Sequence, residues 1–241
     1  MNLTNQILDQ YYGIRVIPDI HGEAELFSEC IEAAIRENLF IIQLGDLIDF
    51  GPDSLGCLEI ALDLISSQRG LVLKSNHEDK LYRYCLGNSV DILKSPFCDT
   101  LELIINKPNS IKILNKFEQQ YINWPYWINW KNFVFVHAAF STQMLELTAP
   151  LHASISSLKR KLISLALFGE TNAEFDENGF PIRTYKWVDE IPEGKNIIVG
   201  HDIHSLTNPV QKVNNQKGKV IFLDTGCGKG GKLSYKDILF Q

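Results

Sequence analysis

Residues 15–22, Arg-Val-Ile-Pro-Asp-Ile-His-Gly, join a short β-branched run to an aspartate and a histidine two positions apart. The run Arg15-Val16-Ile17 predicts a buried β-strand that ends at Pro18, so that Asp19 and His21 lie at its carboxyl end. Residues two apart in extended backbone point to the same side, so both side chains can bind one metal ion. The opening of the chain therefore predicts a strand that delivers metal ligands.

The segments that follow alternate between helical and strand patterns. Residues 23–37 have apolar positions at helical spacing, and residues 39–44 form a second buried run that ends at Gly45-Asp46. A helix over 53–67 and a third strand at 71–73 come next, just before Asn76. This β-α-β-α-β order predicts a parallel sheet with right-handed crossovers, in which ligands gather at the carboxyl ends of the strands.

In the second half of the chain, predicted strands again end at a histidine or an aspartate. Residues 81–120 read as mostly helical. A strand at 133–136 then ends at His137, one at 196–199 ends at Gly200-His201, and one at 220–223 ends at Asp224. Residues 156–168 resemble a helix, and residues 169–181 are polar and loop-rich. We expect one domain over residues 1–241, with a cap segment around 140–190 beside the site.

Composition narrows the class of protein. The formal net charge is -6, which argues against an extended nucleic-acid surface but permits a phosphate compound to bind at metal ions. The five cysteines are widely spaced, without a CxxC pair, and no apolar run approaches the roughly 20 residues of a membrane span. We therefore expect a cytoplasmic protein that does not enter the membrane.

The acidic and histidine motifs suit a pair of metal ions. Asp46 can bridge two cations through its two oxygens, while Asn76 offers a neutral oxygen and His137 and His201 offer nitrogens. Mixed hard and borderline ligands favour manganese, iron or zinc over calcium. Two such ions about 3.5–4 Å apart can clamp a phosphate and activate a water molecule. Any one of these residues alone would more often cap a helix or form a hydrogen bond, so the prediction depends on the ordered set.

The same motifs resemble those of the calcineurin-like metallophosphoesterases, in particular the PPP-type branch. The stretches that carry the resemblance are Asp19-Ile20-His21-Gly22, Gly45-Asp46-Leu47-Ile48-Asp49, Asn76-His77-Glu78, His137-Ala138 and Gly200-His201. A further likeness to small bacterial enzymes, namely dinucleoside tetraphosphatases and the phosphatase module of polynucleotide kinase-phosphatase, is carried by residues 51–56, by residues 167–171 with Arg183 and Trp187, and by residues 223–227 with 230–233. The resemblance implies a four-layer αββα sandwich with two mixed central sheets.

The resemblance also implies a role for each matching residue. Asp19, His21 and Asp46 would bind the first metal, and Asp46, Asn76, His137 and His201 the second, with manganese as the first choice and iron or zinc as alternatives. His77 would be the general acid, oriented by Asp49. The expected reaction is in-line attack of a metal-bound hydroxide on a phosphate ester.

Departures from the family pattern are equally informative. Phe50 stands where the family has an arginine that grips phosphate, and Ser75 stands where it has a glycine. Arg183 is the first candidate for the missing cation, followed by Lys229 and Lys232. His204 lies one residue farther from His201 than the related metal motif requires, and the sequence leaves it open whether Asp224 contacts a metal.

Three functions remain open at this stage. The preferred substrate is a phosphorylated small molecule, in particular a nucleotide, or an RNA-terminal phosphate. A phosphoprotein is the alternative, since the same centre serves serine/threonine-type phosphatases. A metal-binding regulatory module with weakened catalysis is the alternative of another class, because the arginine at position 50 is absent.

Overall fold

Two β-sheets carry the strand ends that the sequence singles out. The computed structural model describes residues 3, 5–93, 96–149, 156–177, 179 and 181–240. The strands of the first sheet are β1 (Gly13–Ile17), β2 (Leu39–Gln43), β3 (Gly70–Val72) and β11 (Lys236–Leu239). They lie in the order β11-β1-β2-β3. Strands β1, β2 and β3 are parallel, and β11 pairs with β1 in the antiparallel direction, so the sheet is mixed.

The second sheet has five strands in the order β4-β5-β8-β10-β9. They are β4 (Trp127–Trp130), β5 (Phe133–Val136), β8 (Asn196–Val199), β9 (Val210–Val213) and β10 (Lys219–Phe222). The inner three are parallel, while β4 and β9 are antiparallel edge strands. The carboxyl ends of β5, β8 and β10 therefore lie at one edge of this sheet.

A third, two-stranded sheet differs from the sequence prediction. Residues 169–181 were expected to form a polar loop, but β6 (Thr171–Phe175) and β7 (Pro181–Arg183) pair as an antiparallel hairpin. The described residues of β6 are exposed, so no burial pattern marks the strand in the sequence. Residues 150–155 of the predicted cap segment lie outside the described residues.

The longer helices pack on the outer faces of the two large sheets, whereas α1 (Asn5–Leu8) contributes Leu8 to the apolar layer between the sheets. The longer helices are α2 (Ala24–Arg36), α3 (Ser54–Ser66), α4 (Asn76–Cys85), α5 (Phe97–Ile105), α6 (Ser110–Tyr121) and α7 (Ser157–Phe168). In α2 the buried side chains Phe27, Cys30, Ile31 and Ala34 follow the helical period. Asp53 caps α3 by accepting a hydrogen bond from the Gly56 amide at 2.7 Å.

Alternation along the central strands creates three apolar layers. In β1, Val16 packs between the sheets whereas Ile17 packs against the helices, and in β2 Ile42 and Ile41 divide in the same way. A separate cluster joins β5, β8 and β10 to α7. The order helices, sheet, sheet, helix confirms the α/β fold with mixed central sheets. Across the described ranges, no helix has the length and apolar character needed to cross a membrane.

Candidate metal centre

The strand ends of both sheets converge on one buried cluster. Asp19 and His21 follow β1, Asp46 follows β2, Asn76 begins α4 after β3, His137 follows β5 and His201 follows β8. The two sheets touch directly here, because the His201 amide donates to Asp19 Oδ1 at 2.9 Å. The structure thus brings all six predicted metal ligands together.

His21 forms the centre of the first group. Its Nε2 lies 3.7 Å from Asp19 Oδ2 and 3.6 Å from Asp46 Oδ2. Its Nδ1 lies 2.8 Å from the carbonyl oxygen of Ile48, which can only accept, so Nδ1 carries the proton and Nε2 presents a lone pair. Burial lowers the pKa of His21 to about 3, which keeps the ring neutral. A neutral imidazole oriented in this way by a carbonyl is prepared to bind a metal.

His137 has the same arrangement in the second group. Its Nδ1 donates to the carbonyl of Leu44 at 3.0 Å, and its Nε2 lies 3.4 Å from Asp46 Oδ1. That Nε2 is also 2.9 Å from Asn76 Oδ1 and 3.1 Å from His201 Nδ1. Burial lowers the pKa of both histidines, so both are neutral. Separations of about 3 Å are those of neighbouring ligand atoms around an ion with bonds of about 2.1 Å.

Among the described residues, several buried polar atoms of this cluster have no hydrogen-bond partner. They are Asp19 Oδ2, His21 Nε2, Asp46 Oδ1 and Asp224 Oδ2. Burial, followed by the charges of Asp224 and Asp46, raises the pKa of Asp19 well above its usual range. Buried carboxylates without partners are costly unless a cation neutralises them. The residues therefore fit divalent metal ions, and Asp46 belongs to both histidine groups.

His77 lies beside the first group. Its Nδ1 is hydrogen-bonded to Asp49 Oδ2, and its Nε2 lies 3.7 Å from Asp46 Oδ2. Burial favours the neutral ring, but the carboxylates of Asp46 and Asp49 outweigh it and raise the pKa of His77. The ring is close enough to be a third ligand with His21 and Asp46. The hydrogen bond to Asp49 orients the His77 ring so that its Nε2 faces the centre, an arrangement that suits a proton donor.

Glu78 is a positioning residue whose role the sequence pattern did not predict. Its Oε2 accepts from the Asp46 amide at 2.9 Å, and its Oε1 accepts from the amides of Leu47 at 2.9 Å and Ile48 at 3.2 Å. The side chain is completely buried. It thereby fixes the loop that presents Asp46. An acid next to Asn76-His77 in the first turn of a helix was the available signal.

Ser75 replaces the family glycine without strain. Its φ of -135° and ψ of 173° are extended values that any residue adopts. Its hydroxyl accepts from the Asp46 amide at 2.9 Å and donates to Glu78. The position that requires glycine is Gly45 instead, with a φ of 101° and no room for a Cβ beside Ser75.

Arg183 reaches the second group from the hairpin. Its Nη2 lies 2.7 Å from His201 Nε2, its Nη1 donates to the carbonyl of Phe168, and its Nε lies 3.4 Å from Asp202 Oδ1. Phe50 lies at the opposite side, with its ring 4.9 Å from that of His21. Arg183, the predicted phosphate-binding arginine, therefore lies at the site. It is next to His201, whereas position 50 is next to His21.

His204 and Asp224, the two residues whose contact with a metal the sequence left open, have different positions relative to the cluster. His204 lies outside both metal-binding groups, because its ring packs on Phe222 at 3.9 Å and on Tyr185 at 5.0 Å. Asp224 is buried at the end of β10, and its Oδ1 accepts from the Gly226 amide at 2.8 Å. Its Oδ2 has no hydrogen-bond partner in the part of the chain that the structure describes, and the carboxylate adds negative charge beside Asp19.

Known proteins share both the sequence pattern and the fold. The pattern of the calcineurin-like phosphoesterases matches residues 13–223. A bis(5'-nucleosyl)-tetraphosphatase (asymmetrical) of Oceanobacillus iheyensis is 29% identical, covering 92% of this chain and 86% of its own length.

Two solved structures are similar in fold. A candidate diadenosine tetraphosphatase has a TM-score of 0.58 and 19% identity, covering 94% of this chain and 89% of its own. A protein serine/threonine phosphatase of Saccharomyces cerevisiae has a TM-score of 0.57 and 14% identity, with coverages of 98% and 75%. With the family pattern spanning both sheets and the ligand cluster between them, the chain belongs to the calcineurin-like phosphoesterases and is a metallophosphoesterase.

Proposed function

We propose that this enzyme hydrolyses dinucleoside tetraphosphates asymmetrically, giving a nucleoside triphosphate and a nucleoside monophosphate. The observation that carries the proposal is the likeness to the Oceanobacillus iheyensis tetraphosphatase over 92% of the chain. The buried, two-group metal centre supports the same reaction, because a polyphosphate needs concentrated positive charge to bind an acidic protein.

The proposed ligands divide between two metal ions. The first would be held by Asp19, His21 and Asp46, and the second by Asp46, Asn76, His137 and His201. Manganese is the proposed metal, with iron and zinc as alternatives, because carboxylate, amide and imidazole donors occur together. Bound divalent ions supply Lewis acidity and lower the pKa of a coordinated water.

The remaining roles are proposed for side chains of the chain itself. His77 holds a proton on Nε2, directed at the metal centre 3.7 Å from Asp46, and delivers it to the leaving oxygen. Asp49 accepts from His77 Nδ1 and so fixes the orientation of the ring. Arg183 binds a substrate phosphate near His201, since its side chain is 33% exposed at the edge of the centre.

A substrate panel on manganese-loaded protein tests the proposal. Diadenosine tetraphosphate, an aryl phosphate, a phosphoserine peptide and a 5'-phosphorylated RNA oligonucleotide are compared by kcat/KM, and the nucleotide products are separated by chromatography. We expect the tetraphosphate to be the best substrate and to yield ATP and AMP in equal amounts. Two equivalents of ADP would contradict asymmetric cleavage.

Asp46→Asn is the matched inactive variant, because it removes a carboxylate shared by both groups while preserving shape. Its turnover should fall at least about a thousandfold, the scale of losing metal assistance.

A phosphoserine peptide turned over faster than every nucleotide would replace the proposed function with that of a protein phosphatase. Faster turnover of the RNA end would indicate an RNA-processing role.

A further inference from the structure

The loop at residues 225–231 lies against the first metal-binding group. Gly228 has a φ of 71°, and a Cβ built on it would lie 2.6 Å from the Cβ of His21, so the loop backbone packs directly on that residue. Thr225 closes the loop by donating from its hydroxyl to the carbonyl of Lys232 at 2.6 Å. The loop therefore has a fixed position relative to His21.

This loop places an ammonium group over the aromatic ring that replaces the family arginine. Lys229 Nζ lies 4.6 Å from the centroid of the Phe50 ring, within the range of a cation–π interaction. The Phe50 ring in turn lies 4.9 Å from that of His21 and 5.9 Å from that of His77. The ammonium of Lys229 thus lies at the edge of the metal centre and contacts the Phe50 ring, which in turn contacts His21.

The described residues leave the side-chain donors of Lys229 without an acceptor. Within the described ranges, no acidic group lies within 4.0 Å of its Nζ and no hydrogen bond from it is found. Arg183 differs, because its guanidinium already contacts His201, Phe168 and Asp202. An ammonium that is half-buried, held by a ring and free of acidic partners is available to an incoming anion.

We propose that Lys229 binds a non-bridging oxygen of the phosphate that is cleaved, and that Phe50 positions its ammonium beside the first metal. The pair replaces the arginine that the family pattern places at position 50. An aromatic ring can hold a lysine head group without neutralising it, whereas a carboxylate would compete with phosphate for the charge. The inference rests on the proposed metal centre but not on the choice of phosphoester.

Electrostatics agree with this placement. Burial raises the pKa of Asp224 to about 6, and Lys229 is among the charges that oppose the rise. The ammonium therefore acts on the buried acids of the centre from its position at Phe50.

The test compares two lysines of the same loop. Lys229→Met removes the charge and retains the length of the side chain. Lys232→Met is the matched control, because Lys232 is exposed and has no contact with Phe50 among the described residues. The dissociation constant of inorganic phosphate from manganese-loaded protein is measured by calorimetry, together with bound metal. We expect Lys229→Met to weaken phosphate binding about 10- to 100-fold, the value of one charged hydrogen bond, with metal content unchanged.

Substitutions at position 50 test the positioning role. Phe50→Leu should weaken phosphate binding and raise KM for an aryl phosphate, whereas Phe50→Tyr should retain both values because the ring remains. In a Lys229→Met background, Phe50→Arg should restore phosphate binding at least about tenfold, since the charge returns at the family position.

Unchanged phosphate affinity in Lys229→Met would overturn the inference, as would an equal loss in Lys232→Met or a failure of metal-loaded wild type to bind phosphate. A wild type that cleaves the aryl phosphate but not diadenosine tetraphosphate would remove the proposed substrate only. Weaker phosphate binding in Lys229→Met would still support the role of Lys229 in that case.

Discussion

Several residues of the metal centre adopt left-handed backbone conformations. Their φ values are 48° for His21, 55° for Asp46, 75° for Asp49, 67° for Phe50 and 65° for His201. Aspartate and histidine enter this region more readily than a bulky aromatic residue does, so Phe50 is the unusual member. Such conformations cost about 1–3 kcal/mol each and persist only where the surroundings impose them. Here the imposing contacts include the hydrogen bonds from the loop amides to Glu78.

Glu78→Gln should weaken metal binding by about 10- to 100-fold, the usual effect of losing a group that orients a ligand. The amide removes the negative charge that accepts three backbone N–H groups, so the loop that presents Asp46 relaxes. Manganese titration by calorimetry measures the effect. Glu32→Gln on the exposed face of α2 is the control, because Glu32 forms an ion pair with Arg36 at the surface. Equal affinities in the two variants would show that Glu78 does not position Asp46.

His77→Asn should affect substrates according to their leaving groups. An alkoxide released from a phosphoserine peptide requires a proton, so its turnover should fall about 10²–10⁴-fold. The leaving group of a dinucleoside tetraphosphate is a phosphate that ionises near pH 6, so its turnover should fall by less than about tenfold. Paired kcat measurements on the two substrates test this. Equal losses on both would mean that His77 acts on the metal centre and not on the leaving oxygen.

At the scale of elements, the strands that the sequence predicted best are buried runs followed by polar residues. They are β1, β2, β5 and β8, and each was predicted within two residues of its observed bounds. β9 and β11 were missed because they are edge strands with exposed or intermediate residues. In addition, β11 pairs with β1 across more than 220 residues, a contact that no local pattern encodes.

Arg15 links β1 to its neighbour β11 in the first sheet. Its side chain is 1% exposed and bonds to Asp237 at 2.8 and 2.7 Å and to Glu37 at 2.9 Å. Arg15→Met should lower the free energy of unfolding by about 1–3 kcal/mol, less than for a fully buried pair because both acids can reach water. Urea unfolding measures the loss. Lys217→Met, which breaks the exposed pair with Glu193, should cost at most about 1 kcal/mol. Equal losses would contradict the role of Arg15.

At the scale of the whole molecule, the metal centre lies where the two sheets meet. The first sheet contributes Asp19, His21 and Asp46, and the second contributes His137 and His201. The sequence predicted these ligands because each follows a strand. It did not predict the contacts between the sheets, such as that of the His201 amide with Asp19, or the approach of Lys229 to Phe50. Those depend on three-dimensional packing, which spacing along the chain does not determine.

Because its ligands come from both sheets, a bound metal should stabilise the entire fold. Manganese at about 100 times its dissociation constant adds about 2.7 kcal/mol for one site, which corresponds to a rise in Tm of about 5–10 °C in a chain of this size. Thermal unfolding with manganese, and after chelation, measures the shift. Asp46→Asn should lose most of this metal-dependent rise in Tm, since Asp46 belongs to both groups. A metal-dependent shift of the same size in Asp46→Asn would place the bound ions elsewhere.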